Sequence, residues 1–110
     1  MSTDVKSDLA DEVRNALRTV IDPELGFNIV DLGLIYSIAV ESDVALITMT
    51  TTTRGCPATS FLKEGARESA STISGVKTVD VTLTYDPPWT PEMMSAEAKK
   101  YLGVADGVGW

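Results

Sequence analysis

The chain has 110 residues, 16 acidic side chains against 9 basic ones for a formal charge of −7, and no histidine. That length fits one domain, burying roughly two-thirds of the surface its unfolded form exposes. Nine scattered bases exclude a phosphate-backbone binder, so no nucleic-acid partner is expected, and the missing imidazole excludes Ser-His-Asp and Cys-His dyads and an HExxH zinc site.

Hydrophobic residues make up 44% of the sequence and charged ones 23%, the ordinary balance of a globular protein. A single cysteine, Cys56, rules out an intrachain disulfide and points to a reducing compartment. The opening Met1 to Lys6 lacks a signal-peptide pattern, and no apolar run approaches the roughly 20 residues that cross a bilayer. The expectation is a cytoplasmic protein with no membrane partner.

In chain order, Val5, Leu9, Val13, Ala16, Leu17 and Val20 recur at helical spacing and predict an amphipathic helix over 7–20. Asp22-Pro23 stops it, because a residue before proline avoids the α region. The stretch 27–33 reads as a structured loop. Leu34, Tyr36, Ile38 and Val40 alternate as a strand. After Glu41-Ser42-Asp43, a second strand carries Val44, Leu46 and Thr48 on one face and Ile47 and Met49 on the other, predicting a β-hairpin. A threonine cluster, Thr48 and Thr50 to Thr53, closes that strand.

Pro57 opens a second helix with Ala58, Phe61, Leu62, Ala66, Ala70 and Ile73 as its apolar stripe, ended by Gly75. Val79, Val81, Leu83 and Tyr85 alternate as a third strand. Asp86-Pro87-Pro88-Trp89 is a rigid exit. Thr90 caps a third helix begun by Pro91, with Met94, Ala98, Tyr101 and Leu102 inward and Gly103 as its stop. The tail 104–110 is read as mobile, leaving a core of about 7–103 in a single domain over 1–110. The order helix-strand-strand-helix-strand-helix predicts a two-layer α+β fold, with a small sheet carrying helices on one face.

Cys56, just before Pro57, is a candidate N-cap whose thiolate would be favoured by the helix N-terminus and by Arg54. The alternative is a small buried structural cysteine. Asp22 and Glu24 put two carboxylates on one turn, as metal ligands or as an Asx turn. Asp31 would accept loop hydrogen bonds. Trp89 either presents a rim or closes the core, and Met93 and Met94 read as core and interface filler.

Three segments taken together resemble a family of small iron–sulfur cluster assembly proteins, which includes SufT, PaaD and the eukaryotic cytosolic iron–sulfur targeting factors. They are the opening signature from Asp22 to Tyr36, the cysteine motif Gly55-Cys56-Pro57, and the tryptophan motif from Asp86 to Ser95. The resemblance implies a non-enzymatic role in iron–sulfur protein maturation, as carrier or targeting adaptor. It implies Cys56 as the residue that binds metal or cluster, with Asp22, Glu24 and Asp31 near it, while Thr53 and Arg54, beside the cysteine in sequence, are read from their position as further supporting residues. Beside the resemblance, Trp89, Met93 and Met94 are read as a candidate partner surface, the expected partners being iron–sulfur client or scaffold proteins. The chain departs from the family at Thr51, usually aliphatic, which would expose the strand end, and at Arg54, and it lacks the cysteine-bearing tail of PaaD proteins.

One cysteine cannot fill the four thiolate positions of a conventional cluster. Any iron or cluster is therefore expected to be transient, completed by a partner or by a second copy in a homodimer. Two other readings stand beside this one. In one, the chain is a pure adaptor, for instance in oxygenase maturation, with a structural cysteine. In the other, it is a thiol enzyme with Cys56 as nucleophile and Asp22 or Glu24 as base.

Overall fold

The structure is a computed structural model that describes residues 5–52 and 58–103. The calls on Thr53, Arg54, Cys56 and Pro57, and on the tail 104–110, lie outside the described residues.

Helix α1 spans Val5–Leu17, somewhat earlier than the periodicity predicts. Arg18, Thr19 and Val20 continue as a tighter turn, each N–H bonding the carbonyl three residues back at 3.1 Å. The helix stops there because Ile21 is held extended, bridging Asn28, while the Ile29 N–H reaches the Val20 carbonyl at 3.0 Å.

Strands β1 (Ile35–Glu41) and β2 (Val44–Met49) form the predicted antiparallel hairpin around Ser42 and Asp43, with Ser42 at a left-handed φ of 57°. Helix α2 (Ala58–Ser71) then crosses to strand β3 (Thr78–Leu83), which pairs parallel to β2. The sheet order is β1-β2-β3, so β2 is central. Order and direction are non-local facts that no single segment encodes.

The register explains the two layers. Val40 faces Ala45 across the hairpin, and Ala45, Ile47 and Met49 align with Val79, Val81 and Leu83. This apolar face packs under α1 and α2, which also touch each other. Leu62, Ala66 and Ala70 of α2 and Val13 and Leu17 of α1 are almost fully buried. Each large aliphatic side chain so buried contributes about 1.5–3 kcal/mol. The opposite face carries exposed Ser37, Ala39, Glu41, Thr78, Asp80 and Thr82.

Two expectations for the apolar stripes are corrected. Phe61 and Tyr101 are 59% and 64% exposed. Phe61 lies beyond the arc of α2 that meets the sheet, where Leu62 faces inward instead. The third helix also divides in two. Thr90 makes no side-chain cap, and Pro91 opens only a 3-10 turn, Pro91–Met93. Helix α3 (Ala96–Leu102) starts at Ser95, whose hydroxyl accepts the Ala98 N–H at 3.1 Å, and ends at Gly103 as expected. It seats on the 22–33 loop rather than on the sheet: the Ser95 N–H bonds the Asp31 carbonyl at 2.7 Å, and Tyr101 lies 4.9 Å from Phe27, ring to ring.

Candidate functional site

The loop between α1 and β1 is built on Asp22. Its side chain is 2% exposed, and its Oδ1 accepts the Glu24 and Leu25 N–H groups at 2.7 and 3.0 Å. A buried carboxylate needs such donors to offset its lost hydration. Its backbone closes the same turn, from the Asp22 N–H to the Phe27 carbonyl and from the Gly26 N–H to the Asp22 carbonyl. Of the two sequence readings of this segment, the Asx turn is the one present. Glu24 points elsewhere: its Oε1 accepts from the Thr52 hydroxyl at 3.3 Å.

Asp31 is a tie-point of the same loop. Its Oδ2 accepts from Asn28 Nδ2 at 2.7 Å, its N–H donates to Asn28 Oδ1 at 2.9 Å, and Arg18 stands 4.0 Å from the carboxylate. The Arg18 side chain is 43% exposed, so that ion pair is worth at most about 1 kcal/mol. Gly33, at φ 80°, completes the loop. A Cβ there would run into the Met93 carbonyl, so only glycine lets the Pro91–Met93 turn lie against it. Trp89 fixes the same segment from the other side, its indole N–H donating to the Leu32 carbonyl at 2.7 Å. Trp89 is half-buried against the core, while Met94 is 4% exposed and belongs to the core.

The end of β2 enters this region. Thr50 is fully buried, its N–H bonded to the Leu34 carbonyl at 2.8 Å. Thr51 was expected to expose the strand end. Instead it is 4% exposed, and its hydroxyl meets the Tyr85 hydroxyl at 3.0 Å. The polar departure at this position is thus absorbed by a polar partner from the far side of β3. Between Ile35 and Ser37 the hairpin register slips, setting Tyr36 apart from the regular pairing. Its hydroxyl donates to the Pro87 carbonyl at 2.9 Å and reaches Met93 Sδ at 3.6 Å. Desolvation raises the Tyr36 phenol above its ordinary value, and a hydrogen bond with Thr50 partly opposes this.

These elements enclose a pocket of about 280 Å³ lined by Leu25, Thr52, Trp89, Pro91, Met94 and Leu102. Among the described residues Thr52 is the one hydroxyl-bearing side chain that lines it, and the surface the wall presents is apolar. Loop 22–33, the end of β2 and the segment 89–102 therefore converge at this pocket, and from Thr52 the chain continues into residues 53–57, which hold the cysteine by sequence. Of the predicted residues, Asp22 and Asp31 shape the loop, Glu24 reaches Thr52, and Trp89 and Met94 line the pocket. Met93 lies against Gly33 and Tyr36. Leu25, Thr52 and Ser95 were not singled out from sequence, and Leu102 and Tyr85 were read only as members of a helix stripe and a strand, not as site residues. Only Ser95 carried a local signal, a serine just before a run of helix formers. Among the described residues, no group of three or more histidine, cysteine, aspartate or glutamate side chains is placed to hold a metal ion.

The sheet, its two covering helices and this loop define a small two-layer α+β domain. Residues 10–83 match the family described as "Iron-sulfur cluster assembly protein", and the chain belongs to that family. It is 44% identical over 94 residues, 84% of its length and 90% of the relative's, to an Fe-S protein maturation auxiliary factor of Porphyromonas gingivalis. It is 40% identical, over 78% of its length and 99% of the relative's, to the Fe-S protein maturation auxiliary factor SufT of Staphylococcus aureus. A crystal structure of a domain of unknown function from Bacillus anthracis superposes with a TM-score of 0.86 at 36% identity, covering 92% of this chain and 97% of that one. The family match stops at Leu83, so the Trp89 segment lies beyond it.

Proposed function

We propose that this chain is an iron–sulfur protein maturation factor that handles iron or a cluster as cargo through Cys56 and delivers it to client proteins. The observation that carries this reading is membership of the assembly family together with the Gly55-Cys56-Pro57 motif. The Glu24–Thr52 contact supports it, because it ties the carboxylate turn to the strand end that leads into the cysteine segment. A lone thiolate, with about four needed per cluster, suits transient binding completed by a client, a scaffold or a second copy. Two relatives are named as maturation factors and a third, in Synechocystis, as an iron–sulfur cluster carrier, which favours a non-enzymatic role. Cytoplasmic residence fits the reducing conditions a free thiolate needs. Among the described residues, no helix is long and apolar enough to cross a membrane.

The apolar pocket beside Trp89 favours a second reading, an adaptor that docks partners there and uses no thiol chemistry. Anaerobic reconstitution of the purified protein with iron and sulfide, beside Cys56→Ser, separates the two. A thiolate-to-iron absorption band in the wild type alone, with dimer formation, is expected for the carrier. No bound iron in either protein, both remaining monomeric, selects the adaptor. A Cys56→Ser protein that still matures clients fully would end the thiol-ligand reading.

A further inference from the structure

Among the described residues, the large hydrophobic side chains left exposed are Ile21, Phe61 and Tyr101. Tyr101 lies against Phe27, whereas Phe61 remains 59% exposed and Ile21 47%. Along α2, Phe61, Gly65 and Ser69 follow at four-residue intervals and share one side of the helix. That side runs along the end of α1. The Ser69 hydroxyl meets the Thr19 hydroxyl at 3.2 Å, and a Cβ on Gly65 would stand 3.2 Å from Val20 Cγ1. The same progression carries Ile21 toward Phe61, so the two exposed side chains lie toward one end of the α1–α2 seam.

Toward the other end lies a groove of about 410 Å³ lined by Ala16, Thr19, Glu68, Ser69 and Thr72. Its hydroxyl protons are already committed. Thr19 donates to the Ala16 carbonyl and Thr72 to the Ser69 carbonyl, each at 2.7 Å, which leaves Ser69 as the donor to Thr19. With those donors used, the groove offers an aromatic ring the methyl groups of Ala16, Thr19 and Thr72 and the stem of Glu68.

Ring and groove complement each other across a two-fold axis. In an isologous contact, what one copy inserts it also receives. For two antiparallel α2 helices the axis falls midway between Phe61 and the groove residues Ser69 and Thr72, at Gly65–Ala66. Glu64 and Arg67, with side chains 63% and 53% exposed, have the same midpoint. One axis therefore sets each Phe61 over the other groove and each Glu64 opposite the partner's Arg67. The rotation also keeps flanks together. The groove flank, beside α1, meets its like, and so does the Arg67 flank on the other side of α2. Gly65, at the axis, puts no side chain between the helices.

We infer that two copies of this chain associate through this face, α2 antiparallel to α2, with each Phe61 ring seated in the other's groove. A rise of 1.5 Å per residue sets the two Ala58 starts of α2 about 22 Å apart, at opposite ends of the interface. This association needs neither Cys56 nor iron and is independent of the function proposed above.

The test is sedimentation of the full-length, iron-free, reduced protein from micromolar to millimolar concentration. Wild type and Cys56→Ser should show the same concentration-dependent dimer. Phe61→Ser removes a largely exposed side chain, so thermal unfolding should hold while the dimer weakens by roughly 30-fold or more, the scale of losing an aromatic anchor. Glu64→Arg and Arg67→Glu should each weaken it, and the double exchange should restore it. In a mixture of differently labelled chains, NMR cross-peaks should join the Phe61 ring to the Ala16 and Thr72 methyl groups of the other chain. A folded wild type that stays monomeric throughout overturns the proposal. So does a dimer that Phe61→Ser leaves intact, or a labelled mixture without those cross-peaks. Association that appears only with iron and is lost in Cys56→Ser belongs to the cargo site, and it would overturn this interface while leaving the proposed function standing.

Discussion

Leu62, Ile47 and Val81 in the helix-covered sheet sit within one apolar core, whereas Asp22, Asn28, Asp31, Trp89 and Ser95 at the end of the sheet are joined by hydrogen bonds, mostly to main-chain groups. Burial energy is non-directional and spread over many contacts, so the first region tolerates small shifts. The second depends on donors and acceptors at fixed distances, and an unmet buried partner there costs the full desolvation of that group. The structure thus places its geometric precision in the loop and segment around Trp89, and its bulk cohesion in the sheet and its covering helices.

The largest effect should come from Gly33→Ala. It strains a left-handed position and drives a methyl group into the Met93 carbonyl, for a loss of about 4 kcal/mol in denaturant unfolding. If the two regions are held differently, Trp89 fluorescence should change in this variant before the sheet unfolds. Leu62→Ala should cost about 3 kcal/mol through its cavity, with Trp89 and the far-ultraviolet signal lost together. A separate early Trp89 transition in Leu62→Ala would break the comparison. Asp22→Ala should cost about 2 kcal/mol by stranding the Glu24 and Leu25 N–H groups, and Asp22→Asn, which keeps an acceptor oxygen, should recover most of it. Equal losses in both would mean that the turn is held by something other than Oδ1. The smallest effect is a gain: Ser42→Gly relieves a left-handed φ far from the site and should add about 0.5 kcal/mol with no change at Trp89.

The elements with strong periodicity were legible before the structure. Ile47 and Met49 against Val44 and Leu46, and Val79 and Val81 against Asp80, alternate because one face must meet α1 and α2. The Gly103 stop was legible because the left-handed region favours glycine. The Thr90-Pro91 signal misled, since it is satisfied by a single 3-10 turn, and Ser95 provides the cap four residues after that proline would have begun the helix. Tyr101 was placed inward by spacing, yet α3 packs on a loop, and its outer side stacks with Phe27. Within the site, the Asp22 turn could be read as one of two local options. The pocket could not, because Leu25, Thr52, Trp89 and Leu102 meet only through tertiary packing.

The mixed sheet also sets an order of events in time. The β1–β2 hairpin closes around two residues, a local and rapid step. The parallel β2–β3 pairing must wait until the whole connection from Met49 to Thr78, with α2 inside it, has been gathered, because loop closure comes before the contacts that reward it. Cys56 lies in that connection by sequence. A newly made chain that has closed its hairpin but not yet docked β3 is, in kinetic terms, still unfinished along the connection that carries its one cysteine.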